Sequence, residues 1–533
     1  MARTGRLAAL VVSCIFLLYY VAAPSMASGA GFLQCLKTSI PSNLVLTRGS
    51  PSFEPVLVSS IRNAEQLGPA KANPPLSIVT PTNYSHVQSA VRCSARHGVR
   101  LRVRSGGHDY EGLSYRSTFT HDHEPFAVVD LFNLRHIMVD SVTPTPMAYV
   151  QSGATLGELY YAIGKQDPKL AFPAGLCPTI GVGGHLSGGG IGLMMRKYGI
   201  SADNVIHATI VDAAGNLLEG REAMGEDLFW AIRGGGGGSF GIVLLWQVQL
   251  SPVPPKVVFF QVAKTMAQGA ARLVSKWQTV APALPDDLSL RVLVVNRTVR
   301  FQGLYIGDGG CHEALKIMTQ RFPELGATAN DCREMSWLES TAYVYFGQFG
   351  NASTPVEALL NRTFPVGSFL KHKSDYVKTP IPEASWEKIL SWPFGGATDG
   401  QLMLEPHGGS MGAAFKDFET PGPGPYPHRR GVLYNIHYIE VYSENLSTNP
   451  PSWITGLYDF MEPLVSSNPR SAYVNYRDLD IGVNKDGVAS YESAKVWGER
   501  YFGAANFERL ARIKAKVDPK NHFRHEQSVP LIF

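Results

Sequence analysis

Two segments of this sequence carry side chains whose types and settings are suited to bond-forming chemistry. The first reads Arg104-Ser105-Gly106-Gly107-His108-Asp109-Tyr110-Glu111-Gly112-Leu113-Ser114-Tyr115. A strand end that runs into paired glycines exposes consecutive backbone N–H groups, a concavity suited to diphosphate oxygens. The second reads Gly175-Leu176-Cys177-Pro178-Thr179-Ile180-Gly181-Val182-Gly183-Gly184-His185-Leu186-Ser187-Gly188-Gly189-Gly190. That density of glycine removes side chains wherever a planar ligand must lie against backbone. His108 offers a neutral imidazole nitrogen and Cys177 a thiolate, each a nucleophile with an available lone pair. A third candidate lies on residues 433–441, where strand alternation sends Leu433, Asn435, His437, Ile439 and Val441 to one face. Two polar residues among apolar ones on that face point to a ligand. Tyr476, in Asn475-Tyr476-Arg477-Asp478, completes the set.

Other motifs fail on context. Gly236, Gly238 and Gly241 satisfy GxGxxG, but that fingerprint needs a strand before it and a helix after it. Here residues 226–233 read as helix and 242–250 as strand. The GxSxG match at Gly237-Gly238-Ser239-Phe240-Gly241 fails for the same reason. No His/Cys spacing matches a zinc site, and no metal is expected.

The elements that must position these residues alternate through 75–250. Strands are expected near 76–79, 99–104, 127–131, 148–150 and 205–211, with a helix over 82–97. The mixture implies an α+β or α/β class. Pro252, Pro254 and Pro255 mark a boundary, after which 257–262, 288–295, 298–305 and 431–442 read as longer strands with helices such as 312–322 between them. That pattern suits an antiparallel sheet backed by helices. Residues 491–517 read as helix.

Apolar residues make up 44% of the 533 and charged residues 17%, a globular balance with a net charge of only +4. Such a charge gives no case for nucleic acid or an anionic membrane surface. Arg3 and Arg6, the apolar run 7–23 and the small residues around Ser25-Met26-Ala27 form a secretory signal, with cleavage expected after Ala27. No membrane segment is expected to remain after that cleavage, and the exported protein is expected outside the cell, in the apoplast or cell wall, with the vacuole as alternative. Cys14 leaves with the signal, so Cys35, Cys93, Cys177, Cys311 and Cys332 remain. An odd number in an oxidising compartment leaves at least one outside any intramolecular disulfide. Sequons at Asn83, Asn296, Asn351, Asn361 and Asn445 fit an exported glycoprotein.

On the two glycine-rich motifs, with Phe229-Trp230-Ala231-Ile232-Arg233-Gly234-Gly235-Gly236, Tyr476-Arg477-Asp478-Leu479-Asp480 and Glu526-Gln527-Ser528-Val529-Pro530, the chain resembles the plant berberine bridge enzyme-like family of vanillyl-alcohol-oxidase type flavoproteins. The resemblance implies an α+β fold and an FAD held through two covalent bonds, from the His108 ring to the 8α carbon and from the Cys177 sulfur to C6 of the flavin. It implies a cofactor site that also includes Arg104, Ser105, Gly106, Gly107, Tyr110, Gly181, Gly183, Gly184, Ser187, Gly188 and Ile242. It divides the chain into an FAD-binding part (28–252), a substrate part (253–468) and a tail (469–533) that returns to the first. It pairs Cys35 with Cys93, leaving Cys311 and Cys332 expected as free buried thiols, with a disulfide between them as the alternative.

Family enzymes move a hydride from a substrate carbon to flavin N5, and Tyr476 matches the base of several relatives. Relatives often carry Lys and Gln, or an acidic base, where this chain has Asn435 and His437. Without the lysine, tyrosinate chemistry loses its supporting cation, and His437 becomes a candidate base. Tyr110 and Tyr115 are expected near the pocket. Ile191 stands where monolignol-oxidising relatives have a tyrosine. Ile180 matches the oxygen-gatekeeper position, where isoleucine tends to block O2. The resulting expectation is a monomeric dehydrogenase that oxidises a small alcohol, a carbohydrate hemiacetal or an allylic phenolic alcohol, with an unidentified electron acceptor. An oxidase or oxidative cyclase is the enzymatic alternative, and a flavin-retaining binding or defence protein is the alternative of another class.

Overall fold

The computed structural model describes residues 26–117, 125–363, 368–393, 399–413, 424–442, 452–484 and 490–532. Four sheets form among them. The first runs Val45–Thr47, Ser77–Val79, Phe126–Asp130, Arg100–Arg104, with its last three strands parallel. Those three strands are buried almost throughout, as parallel strands covered on both faces must be. The helix Tyr84–His97 connects two of them, and Asn83 caps it by accepting the His86 N–H at 3.1 Å. The second sheet is antiparallel and ordered Ile137–Asp140, Met147–Gln151, Ile242–Gln249, Val205–Val211, Leu217–Glu219. A short pair, Leu170–Ala171 with Ser251–Pro252, lies beside the proline cluster.

The largest sheet has seven antiparallel strands in the order Cys332–Met335, Val257–Lys264, Thr298–Tyr305, Leu288–Val295, Asp399–Pro406, Tyr434–Tyr442, Phe369–Val377. It is amphipathic in register. Leu290, Val292, Leu404, Tyr434, Ile436 and Tyr438 pack into one apolar cluster with the helices Ala270–Val280, Glu383–Leu390 and Ser452–Met461. The alternate residues Gln302, Arg291, Glu405, Asn435 and His437 are buried on the opposite face. A sheet face this polar and this buried requires polar company, which locates the site.

The α+β class expected from the sequence is the one observed. The C-terminal segment packs into the same core as the second sheet: Tyr473, Trp497, Phe502, Phe507 and Leu510 cluster with Leu228, Phe229 and Trp246. The tail also reaches the first sheet through a buried ion pair, Arg102 Nη2 to Glu526 Oε2 at 2.9 Å.

Two expectations change. The helix over 491–517 is two helices, Tyr491–Phe502 and Ala504–Val517, because Gly503 takes φ 71° and ψ 158°. Cys311 and Cys332 are not free thiols but a disulfide: the start of the helix Gly310–Arg321 lies against the strand that begins at Cys332. Only tertiary contact reveals that pairing, since a separation of 21 residues has no signature of its own. Cys35 and Cys93 are bonded as expected, and among the described residues Cys177 is the free cysteine. Asn83, Asn296, Asn351 and Asn361 are exposed, while Asn445 and the signal segment through residue 25 lie outside the described residues. Among the described residues no helix is long and apolar enough to cross a membrane.

Replacing both Cys311 and Cys332 by serine is expected to destabilise the fold by about 3 kcal/mol, the scale for a loop of this length. Loss of the linked peptide in a non-reducing digest and a lower thermal midpoint check it.

Candidate active site

Gly106 and Gly181 bring the two motif loops together. A Cβ on Gly106 would sit 2.3 Å from Gly181 N, and one on Gly181 would sit 2.2 Å from Gly106 N. Neither position has room for a side chain, so the loops touch backbone to backbone. Ser105 adds a hydrogen bond from its hydroxyl to Ser152 O at 2.5 Å. This contact sets His108 and Cys177 in the wall of one cavity of about 360 Å³.

Thr179 links the two nucleophiles. Its Oγ1 lies 2.8 Å from His108 Nε2 and 3.4 Å from Cys177 Sγ, and the Tyr345 hydroxyl lies 3.7 Å from the sulfur. With Nε2–H donating to Thr179, the lone pair of His108 falls on Nδ1. Burial, then the nearby Arg62 cation, lowers the His108 pKa to about 3, so the ring is neutral and nucleophilic. His185, also in the wall, accepts the Gly175 N–H at 3.0 Å, and burial lowers its pKa to about 4.

Opposite the glycine loops stands the polar face of the large sheet. Tyr476 donates its hydroxyl to Glu405 Oε2 at 3.2 Å, and Asn435 Nδ2 donates to the same oxygen at 3.3 Å. The His437 ring stacks on Tyr476 with centroids 3.7 Å apart and an interplanar angle of 9°. His437 Nε2 pairs with His372 Nδ1 at 2.9 Å, and His372 stacks on Tyr110 at 3.5 Å. Burial lowers the His437 pKa to about 3. Burial and then the Glu405 charge raise the Tyr476 phenol well above its ordinary value. Burial also raises Glu405, with Arg291 pulling it back.

Of the residues singled out in the sequence, His108, Cys177, Ser105, Gly106, Gly107, Tyr110, Ile180, Gly181, Gly183, Gly184, Ser187, Ile191, Ile242, His437 and Tyr476 all line this cavity. Four do not. Arg104 is fully buried and turned away, paired with Asp130 at 2.6 Å and donating to the carbonyls of Val56 and Leu57. Tyr115 packs in a separate apolar cluster with Phe53, Leu57 and Ile78. Gly188 lies against the Asn475 amide, where a Cβ would meet Oδ1 at 2.0 Å. Asn435 stands behind the wall and acts on it through Glu405. Sequence reasoning missed Thr179, Tyr345, Arg291, His372 and Glu405. It also set aside Gly236, Gly237 and Gly238, which are no dinucleotide fingerprint but do form part of the wall. Glu405 had a signal: a lone carboxylate in the strand-like run Gln401-Leu402-Met403-Leu404-Glu405.

The cavity fits an FAD. Its wall is glycine backbone along one side, and a Cβ on Gly184 would meet nothing within 4 Å, a cradle that a side chain would otherwise occupy. Leu101, Val103 and Leu131 give it an apolar end, and two nucleophiles face its interior.

Comparison with known proteins agrees. A family model described as FAD binding domain matches residues 75–221, and one described as berberine and berberine like matches 472–530. The berberine bridge enzyme-like protein Cyn d 4 of Cynodon dactylon is 53% identical, over 94% of this chain and 92% of that protein. Tetrahydroberberine oxidase of Berberis wilsoniae is 46% identical, over 95% of each. Among solved structures, Phl p 4, described as a grass pollen allergen with glucose dehydrogenase activity, superposes with a TM-score of 0.87 at 48% identity, over 94% of this chain and 100% of that one.

Gly106→Ala is expected to destabilise the fold by more than about 3 kcal/mol, because backbone on the opposing loop cannot give way. Gly184→Ala should leave the thermal midpoint of the flavin-free protein unchanged and lower only FAD content, read from absorbance per chain.

Proposed function

The chain belongs to the berberine bridge enzyme-like family of FAD-binding oxidoreductases, and we propose that it is a secreted, bicovalently flavinylated dehydrogenase of a small alcohol, with a carbohydrate hemiacetal as the favoured substrate. The observation that carries this reading is the Thr179 hydroxyl placed between His108 Nε2 and Cys177 Sγ in the wall of a cavity whose far side holds Tyr476. His108 and Cys177 would hold the cofactor, and the backbone at Gly106, Gly107, Gly181 and Gly183 would face its diphosphate. Bound FAD supplies the hydride acceptor. The protein's part is to position the substrate hydroxyl, exclude water and receive its proton.

A hemiacetal is favoured because a similar structure is described as a glucose dehydrogenase, and because Ile191 stands where a phenol-binding tyrosine would. Ile180 in the wall supports poor reaction with O2; an isoleucine-to-valine variant of the same similar protein is described as a glucose oxidase. Residues 28–252 and 469–533 are read as the FAD-binding part and 253–468 as the part that recognises substrate. Export as a glycoprotein is supported by two disulfides and four exposed sequons. A second reading, oxidation of an alkaloid, is favoured by the tetrahydroberberine oxidases among the relatives.

Denaturing the purified protein should leave the yellow chromophore on the chain in the wild type, in His108→Ala and in Cys177→Ala, and free it in the double variant. Anaerobic addition of D-glucose should bleach the flavin, whereas bleaching by tetrahydroberberine alone would replace the favoured substrate with the alkaloid. Ile180→Val should speed reoxidation by air at least about tenfold, equivalent to about 1.4 kcal/mol of barrier.

A further inference from the structure

Beside the cavity lies a cluster of charged side chains that the proposed reaction does not use. Strand alternation on Phe369–Val377, the edge strand of the seven-stranded sheet, sends Lys371 and Lys373 to one face and His372 to the other. His372 stacks on Tyr110 at the cavity. Lys371 instead places its Nζ 3.0 Å from Glu111 Oε1, 3.2 Å from Asp478 Oδ1 and 3.1 Å from Asp480 Oδ2. Lys373 Nζ lies 2.9 Å from Asp478 Oδ2 and 2.7 Å from Asp480 Oδ2. The Leu479 N–H donates to Glu111 Oε1 at 3.3 Å, and Arg477 Nε donates to Asp109 Oδ2 at 2.9 Å. Lys371, Lys373, Glu111 and Asp478 lie outside the cavity lining, but each carboxylate is a near neighbour in sequence of a residue within it.

We propose that Lys371 is a positioning residue: it ties Glu111, in the loop of His108, to Asp478, in the loop of Tyr476, and so fixes how far apart those two cavity side chains stand. The inference rests on the reading of His108 as a flavin anchor and of Tyr476 as the group that receives the substrate proton.

The geometry of the ammonium carries it. Lysine has three N–H donors, and at Lys371 each has a carboxylate oxygen within reach, so the group is saturated by two loops at once. Burial alone would lower its pKa; Glu111, then Asp478 and Asp480, outweigh that and keep it charged. The Lys371 side chain is 19% exposed and that of Asp478 3%, so salt and water screen the contact little. Charges buried in this way add little net stability, because their desolvation offsets their attraction. What they supply is register, since an ion held by three short contacts cannot slide as an apolar contact can. Register matters here because a misplacement of about 1 Å at reacting groups costs about 10²-fold in rate. Cys177 belongs to the other glycine-rich loop, outside this cluster, which makes the effect specific to one of the two anchors.

The test uses the protein as purified with its FAD, and the variants Lys371→Met, Glu111→Gln and their double. Peptide mapping, which needs no turnover, should find flavin on both His108 and Cys177 in the wild type. In Lys371→Met the His108-linked share should fall by about threefold or more while the Cys177-linked share holds. Anaerobic bleaching by D-glucose should lose about tenfold or more in limiting rate with its half-saturating concentration within about twofold, because placement and not binding is disturbed. Glu111→Gln should move both readings the same way by less, since the amide oxygen still accepts from Lys371 and Leu479. The double variant should match Lys371→Met within about twofold, the non-additivity of two groups that act through one contact. The protein with Cys311→Ser and Cys332→Ser, destabilised elsewhere, should keep the wild-type map and limiting rate.

Lys371→Met with linkage and limiting rate both within about twofold of the wild type overturns the proposal. So does a double variant in which the two losses multiply, or the same losses in the protein without its Cys311–Cys332 bond. Should Lys371→Met fail to fold, Glu111→Gln and Glu111→Ala decide: unchanged linkage and rate in both overturn the proposal, and a loss that is larger in alanine supports it. Wild-type protein with no flavin on His108 overturns the anchor reading, and the limiting rate then decides this inference. Wild-type protein that D-glucose does not bleach overturns the substrate reading, and the peptide map then decides it. A wild type that fails in both respects overturns the readings and this inference together.

Discussion

The backbone contact between Gly106 and Gly181 is the constraint on which the rest of the site depends. Two loops that are 75 residues apart in the chain meet with no side chain between them. Any Cβ there would force main chain against main chain, and close-packed backbone has no rotamer with which to yield. Because the loops touch, a single threonine hydroxyl reaches both an imidazole and a thiol. Glycine at this place is thus a statement about distance, and the distance brings His108 and Cys177 within reach of one hydroxyl.

Burial then sets the chemistry. The same exclusion of water that lowers His108 and His437 to about 3 holds the Tyr476 phenol protonated and lifts Glu405 above the usual carboxylate range. Two histidines that would titrate near neutrality at a surface are kept as neutral rings, one against the Thr179 hydroxyl and one stacked on Tyr476. Burial raises the Glu405 carboxyl, and the Arg291 charge opposes that shift. The amphipathic sheet makes this possible: its apolar face pays the cost of folding, and its polar face is free to serve the cavity.

Alternation along the strand at 434–442 was legible, and it correctly placed His437 toward the cavity. It could not tell that Asn435 stops one layer short, because that depends on Glu405 from the neighbouring strand filling the space in front of it. Arg104 and Tyr115 sit within the most specific motif in the chain, yet both turn into the interior, one to Asp130 and one to an apolar cluster. Proximity in sequence to His108 carried no information about direction. The disulfide between Cys311 and Cys332 was likewise undetermined, since it needs a helix to dock on a strand.

The sequence by itself determined the family, the α+β class, the glycine-rich loops and the two nucleophiles, because these are local: a motif, a periodicity, a residue type that alone permits a backbone approach. Tertiary structure alone decided which polar side chains share the cavity and what their protons do. Glu405, Arg291 and Tyr476 come from three separate segments, and their partnership rests on strand register and on burial, neither of which is written in the order of residues along any one of them.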